Sequence, residues 1–351
     1  MHRALRLLAA AACAVFVSGC ETLAYYTQAV GGQLAITTRA RPVDSVMFDP
    51  ATPGDLRARL RMALEIRDFA SRELGLPDEG SYRKYLDLGR AFVVWNLFAT
   101  PEFSTKPVES CFPVTGCVSY RGYFAEADAI AYADRMRAKG YDVQVSGIPA
   151  YSTLGWFDDP LLSSFIRYPE SELARLVFHE LAHHIVYVSG DTVFNESFAV
   201  SVERAGVRRW LAAHHNEKDL ATFLAARERQ RQFVAMIEAA KTRLDRVYES
   251  GLADAPMREA KRAGFEELKR DYAALKASWG GFAGYDRIIG TAPGNALLAS
   301  ITAYSKFVPG FEKMIEAAGG DLPRFYAEVK KVARLPKKER CLALSASSEG
   351  C

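Results

Sequence analysis

His179-Glu180-Leu181-Ala182-His183 constrains this chain more than any other stretch. Two histidines four positions apart lie one turn apart on a single helical face, where both rings can reach one metal ion, with Glu180 projecting beside them. The segment is therefore expected to be helical, and a second element has to carry a further ligand to it. Glu196, thirteen residues after His183 in Phe194-Asn195-Glu196-Ser197-Phe198-Ala199, supplies a carboxylate. Two His, one carboxylate and an open fourth position make a catalytic zinc arrangement, whereas a structural site is closed by four protein ligands. With six His in 351 residues, chance produces such a pattern in on the order of one chain in a hundred.

The flanking residues agree with a helix. Pro169-Glu170-Ser171-Glu172 puts a proline and two acids at its start, where the proline lacks only an unneeded N–H and the acids favour the dipole. Leu173, Leu176, Val177 and Leu181 recur at helical spacing. Gly190-Asp191 reads as its stop, with a second helix beginning near Asn195. The implied chemistry is peptide-bond hydrolysis around one Zn2+ held by His179, His183 and Glu196. Zinc brings the pKa of its bound water towards neutral and polarises the scissile carbonyl. Glu180 is the expected general base, taking the water proton and passing it to the leaving amine. His184 points about 100° away from His183, and His214-His215 follows a helix end, so all three read as packed or solvated rather than as ligands.

The N-terminus looks like an address. Arg3 and Arg6 precede an apolar run, Leu7 to Val17, that is too short to span a bilayer. Val17-Ser18-Gly19-Cys20 resembles the lipobox of bacterial lipoproteins, which implies cleavage before Cys20 and a lipid on it. Glu21, in place of an aspartate, then suggests the outer membrane, facing the periplasm. An ordinary secretory signal is the alternative. Cys13 leaves with the signal, and Cys111, Cys117, Cys341 and Cys351 remain once Cys20 is lipidated. Four cysteines allow three connectivities. Proximity favours Cys111–Cys117 with Cys341–Cys351, and export makes both plausible.

At 25% charged and 49% hydrophobic the chain can bury a large core. Its net charge of +3 is dispersed, which excludes a nucleic-acid footprint, and no protein partner is defined. The basic run from Lys330 to Arg340 is explained about as well by a solvated helix end and tail as by a binding role. Four segments follow: a signal peptide over 1–19, a tether and irregular N-terminus over 20–54, an α/β region on the substrate side over 55–168, and a helical region over 169–351. Within them, Asp55 to Leu74 is an amphipathic helix, Ala91 to Phe98 and Val118 to Phe124 are strands, Ala125 to Lys139 is a helix stopped by Gly140, and Tyr141 to Val145 is a strand. From Asn216 to about Trp279 the pattern is a long charged helical hairpin broken near Gly251 to Pro256, and shorter helices follow near 311–318 and 323–332.

His179-Glu180-Leu181-Ala182-His183, Gly190-Asp191-Thr192 and Asn195-Glu196-Ser197-Phe198-Ala199 followed by Glu203 resemble a family of predicted bacterial zinc aminopeptidases, lipoproteins of similar length, over most of the mature chain. The block around Glu196 is also similar to the Asn-Glu-Gly-Phe-Ala stretch of larger gluzincin aminopeptidases, in which the Glu is the third zinc ligand and another Glu follows at the offset of Glu203. The resemblance implies an α+β, zincin-like metallopeptidase with a small mixed sheet, an active-site helix and a mostly helical C-terminal part. Glu203 then partners a ligand from the outer shell, and Tyr304 is the first candidate for stabilising the oxyanion. The connection from His183 to Glu196 is shorter than in the larger gluzincins, and their Gly-x-Met-Glu-Asn segment is absent here. The aminopeptidase expectation, and the peptide substrate with it, therefore rests on the resemblance. Tyr151 to Asp159 reads as an edge strand for an extended substrate, with Asp158 or Asp159 near its amine, or as ordinary strand and turn residues. A metal-binding envelope lipoprotein without turnover and a zinc hydrolase of non-peptidic substrates are the alternative functions.

Overall fold

Residues 23–112, 116–290, 293–303 and 306–345 are described by a computed structural model; Cys20, Tyr304 and Cys351 lie outside them. Residues 23–39 are helical (α1) and lead through β1 (Arg41–Pro42) and α2 (Val43–Met47) to α3 (Gly54–Arg72). Helix thus replaces the expected irregular tether over most of its described part. The reason is tertiary. Tyr25, Gln28, Gly32 and Ile36 form an inner stripe: the Tyr25 ring lies 5.5 Å from those of Phe112 and Tyr123, Gln28 Oε1 accepts from Phe124 N, and Ile36 is buried. A Cβ on Gly32 would come within 2.2 Å of the Phe124 ring, so only glycine permits this approach.

The α3 helix buries Leu60, Ala63, Ile66, Phe69 and Ala70 as its pattern requires. The next strands are β2 (Lys84–Leu86), β3 (Val94–Thr100), β4 (Ser110–Phe112), β5 (Gly116–Val118) and β6 (Arg121–Tyr123); α4 (Glu126–Ala138), β7 (Asp142–Ile148) and β8 (Leu161–Leu162) complete this part. The expected strand over Val118 to Phe124 is split into β5 and β6, with Ser119-Tyr120 between them. Among the described residues three small sheets result. In one, β2 pairs with β1 antiparallel and with β8 parallel. In the second, β3 is central and antiparallel to β6 and β7, with Trp95 opposite Tyr123 and Leu97 opposite Val145. Ala133 and Met136 of α4 cover it against Leu97 and Ala99. The third is the β4–β5 hairpin, where Cys111 faces Cys117 and the expected disulfide is formed. Tyr151 to Asp159 is not a strand: it is an irregular, turning segment with Leu154 at φ +57°, a conformation that interrupts strand pairing.

The rest is helical: α5 (Glu170–Ala182), α6 (Thr192–Ala213), α7 (Glu217–Tyr248), α8 (Asp254–Ser278), α9 (Asp286–Gly290), α10 (Asn295–Thr302), α11 (Val308–Ala317), α12 (Leu322–Ala333) and α13 (Lys337–Leu344). The α7–α8 hairpin turns where expected, with Gly251 at φ +74°, and encloses Phe233, Ile237, Leu244, Phe265 and Leu268. Among the described residues α9, α10 and α13 are additions to the expected elements. The basic run is not all solvated, because Arg340 of α13 is buried and donates to Asp191 at 2.8 Å. One apolar cluster joins α3, α5, α6, α11 and α12, from Ile36 to Leu344, so the segments before and after residue 169 share a core. No described helix is long and apolar enough to cross a membrane.

Candidate metal centre

The centre is made by two packed helices, α5 and α6. Pro169 is the N-cap of α5, and Glu170 at its head accepts from the indole N–H of Trp210 near the end of α6 at 2.7 Å. Leu173, Val177, Phe178 and Leu181 bury the other faces of α5. Close packing is possible because Gly206 on α6 lies against Phe178, where a Cβ would stand 2.7 Å from the ring. The α5 helix ends at Ala182, with His183 as its C-cap in helical conformation, so His179 and His183 keep their one-turn relation. Their ring centroids are 5.0 Å apart.

Gly190-Asp191 does not stop α5, contrary to expectation. Asp191 starts α6: its Oδ1 accepts from Phe194 N at 3.2 Å, satisfying a helix-end donor. Asn195 pins the connecting segment, accepting from Val188 N and donating to Val188 O, each at 2.8 Å. Ser197 Oγ accepts from Phe307 N, and Phe194 and Phe198 pack edge-on against Phe311. The residues around Glu196 are thus anchors that aim it inward.

Glu196 Oε2 lies 3.3 Å from His179 Nε2 and 3.9 Å from His183 Nε2. One donor atom from each of the three residues falls within 4.8 Å of the others, so the group could hold a metal ion. Ligands about 2.1 Å from a tetrahedral ion stand roughly 3.4 Å apart, which this donor set fits. Glu203, two turns beyond Glu196, accepts from His179 Nδ1 at 2.8 Å. That contact leaves Nε2 as the ring atom turned towards Glu196. Glu203 also accepts from Arg175 Nη1 at 3.1 Å, Arg175 donates to Glu172 at 2.7 Å, and Arg227 of α7 donates to Glu172 at 3.0 Å. Alternating charges therefore back His179. His183 Nδ1 is buried without a partner among the described residues.

Burial and these charges set the protonation states. Burial opposes an imidazolium at His179, but hydrogen bonds to Glu196 and Glu203 outweigh it and hold its pKa up at about 10. At His183 burial prevails and pushes the pKa down to about 4. Burial also works against the Glu203 carboxylate, yet Arg175 and His179 bring it down to about 2. Glu180 is raised to about 7, chiefly by burial, with His179 opposing and Glu196 and Asp159 adding to the rise.

Other groups around the centre are invisible as a sequence motif. The His184 ring is buried and meets Glu79 Oε2 at 3.2 Å, Ser152 Oγ at 3.0 Å and Asp159 Oδ2 at 3.8 Å, so it ties two segments to the metal helix. His214 packs on Trp210, with ring centroids 3.8 Å apart, away from the metal group. Asp158 is exposed and pairs with Lys84 at 3.1 Å, whereas Asp159 is buried against His184. Tyr82 sits at φ +65° with its buried hydroxyl unpartnered among the described residues. Burial, then the charges of Glu180 and Asp159, keep it protonated. Tyr120 is likewise held protonated by burial and by the charges of Glu196 and Glu180. No local spacing marks these tyrosines.

A family model described as "Putative aminopeptidase" matches residues 24–344 of the chain. No curated protein and no solved structure gives a match.

Proposed function

The chain belongs to that aminopeptidase family, and from this membership and the donor set of α5 and α6 we propose that it is a zinc-dependent aminopeptidase acting on peptide substrates. The observation that carries the reading is the convergence of His179, His183 and Glu196, with Glu180 next in sequence to the first of them. A zinc ion held by these three residues supplies Lewis acidity, activating a water and polarising the scissile carbonyl. Glu203 orients His179 through Nδ1, and Arg175 keeps Glu203 ionised. Glu180 takes a proton from the attacking water onto its carboxylate and delivers it to the departing amine nitrogen. A hydroxyl donor stabilises the charge developing on the carbonyl oxygen. Tyr304 holds that role by resemblance, and Tyr120 competes for it through its exposure to the charges of Glu180 and Glu196.

The enzyme is proposed to work in the bacterial envelope, tethered by a lipid on Cys20 and facing the periplasm. A disulfide fits that compartment: Cys111–Cys117 is formed, and Cys341 is also disulfide-bonded, with its expected partner Cys351 outside the described residues. The deciding assay loads the purified protein with zinc and compares an aminoacyl chromogenic amide with its N-acetylated counterpart, before and after chelation. Turnover of the free-amine substrate alone, lost on chelation and regained with zinc, is expected. Equal turnover of the blocked substrate would make it an endopeptidase. Zinc retention without turnover of any peptide would favour a binding lipoprotein.

A further inference from the structure

The inner stripe of α1 is docked on the protein, which leaves its opposite face unexplained. Leu23, Tyr26, Val30 and Leu34 are 69%, 38%, 57% and 53% exposed. Offsets of three, four and four put them on one side of the helix. Among the described residues, the fully exposed positions of 23–38 are Leu, Ala, Tyr, Thr, Val, Gly, Leu, Ala and Thr, and the one charge of α1 is Arg39 at its last position, which donates to Asp87 O. Thr27 and Thr38 on that face turn their hydroxyls back onto Leu23 O and Leu34 O at 2.9 and 2.7 Å, so their polarity is satisfied within the helix. The α7–α8 hairpin, by contrast, covers its outer faces with Arg, Lys and Glu.

We propose that this face of α1 lies in the headgroup region of the membrane that carries the Cys20 anchor. The chain ahead of α1 selects this occupant. Leu23 is three residues from Cys20, and three residues span at most about 10 Å. A lipid on Cys20 therefore keeps the start of α1 within the depth, about 5–10 Å, at which interfacial helices lie. An apolar face held there, on a helix pinned by Tyr25, Gln28 and Ile36, exchanges water for lipid without burying a charge. Tyr26 suits the boundary, having an apolar ring and a polar tip. With 23–38 uncharged, association is expected to depend little on anionic lipid or salt, unlike that of basic amphipathic helices. The contact would fix which way the rest of the molecule faces above the bilayer.

The proposal rests on the anchor, so the test separates the two. Full-length protein is reconstituted in phosphatidylcholine vesicles with a spin label at Val30→Cys, at Leu34→Cys or at Phe48→Cys, a second exposed apolar site on another element. Labels at 30 and 34 are expected to collide several-fold more with oxygen than with an aqueous nickel complex, and the label at 48 to show the reverse. High salt should leave this pattern unchanged. Vesicle-bound protein whose labels at 30 and 34 are as water-accessible as that at 48 overturns the α1 contact and leaves the anchor standing. Protein that does not stay with vesicles overturns the anchor. Spin–spin broadening that grows with protein concentration would assign the face to a second copy and likewise overturn the proposal. Val30→Gln with Leu34→Gln keeps the helix and should reduce contact with lipid while leaving peptidase activity in solution unchanged.

Discussion

The α5–α6 pair and the α7–α8 hairpin are built from the same charged residues and use them in opposite ways. On the hairpin, Arg231 pairs with Glu228 and Lys269 with Glu266 three positions away on exposed helix faces. Such pairs hold two flexible side chains in water and contribute about 0–1 kcal/mol. In the centre, Arg175, Glu203 and His179 come from two helices, with Glu203 buried between a guanidinium and an imidazole. Removing one member of a buried set leaves another uncompensated, which costs about 3–5 kcal/mol. The difference teaches that the Arg and Glu count of a helix says little until burial is known.

The comparison breaks or sharpens through five substitutions, beginning with the largest effect. Glu196→Ala and His183→Ala should each abolish zinc retention after dialysis, measured by elemental analysis, and reduce hydrolysis to background. Full occupancy in Glu196→Ala would move the third ligand elsewhere, with Glu203 the next suspect. Glu180→Gln should retain zinc while turnover falls by about 10²- to 10⁴-fold, because an amide cannot accept the proton. Wild-type turnover in that variant would remove Glu180 as the base.

Glu203→Ala tests the buried network itself. It should weaken zinc binding by about 10- to 100-fold, since it frees the far side of His179, and lower stability by about 3 kcal/mol in denaturant titrations. Unchanged values for both would erase the contrast between the two regions. Glu228→Ala on the hairpin is the smallest change, below about 1 kcal/mol with activity unaltered. A loss as large as that of Glu203→Ala would show that exposure does not govern these pairs.

Much of the site was legible in the chain. The four-residue spacing of His179 and His183 needs only that α5 be helical, and Cys111 and Cys117 are close enough in sequence to find each other. The turn at Gly251 announced the end of α7 because a positive φ suits glycine best. Periodicity failed where the contrast between faces was low. The inner stripe of α1 contains Gly and Gln, and its outer face is apolar too, so nothing in 20–54 announced a helix. Asp191 reads as a stop in the sequence, although the same residue that follows one helix can cap the next, and only its bond to Phe194 N decides between them.

The sequence by itself determined the chemical inventory: two histidines one turn apart, a glutamate beside them, a carboxylate thirteen residues on, and a local cysteine pair. These depend on helical geometry and short loops, which neighbouring residues specify. The tertiary structure decided which atoms complete the centre. Arg227 reaches Glu172 across 55 positions, His184 meets Glu79 across 105, and Arg340 reaches Asp191 across 149. Each of these contacts forms because burial makes an unpartnered charge or ring nitrogen expensive, and burial belongs to the packed chain, where no local pattern records it.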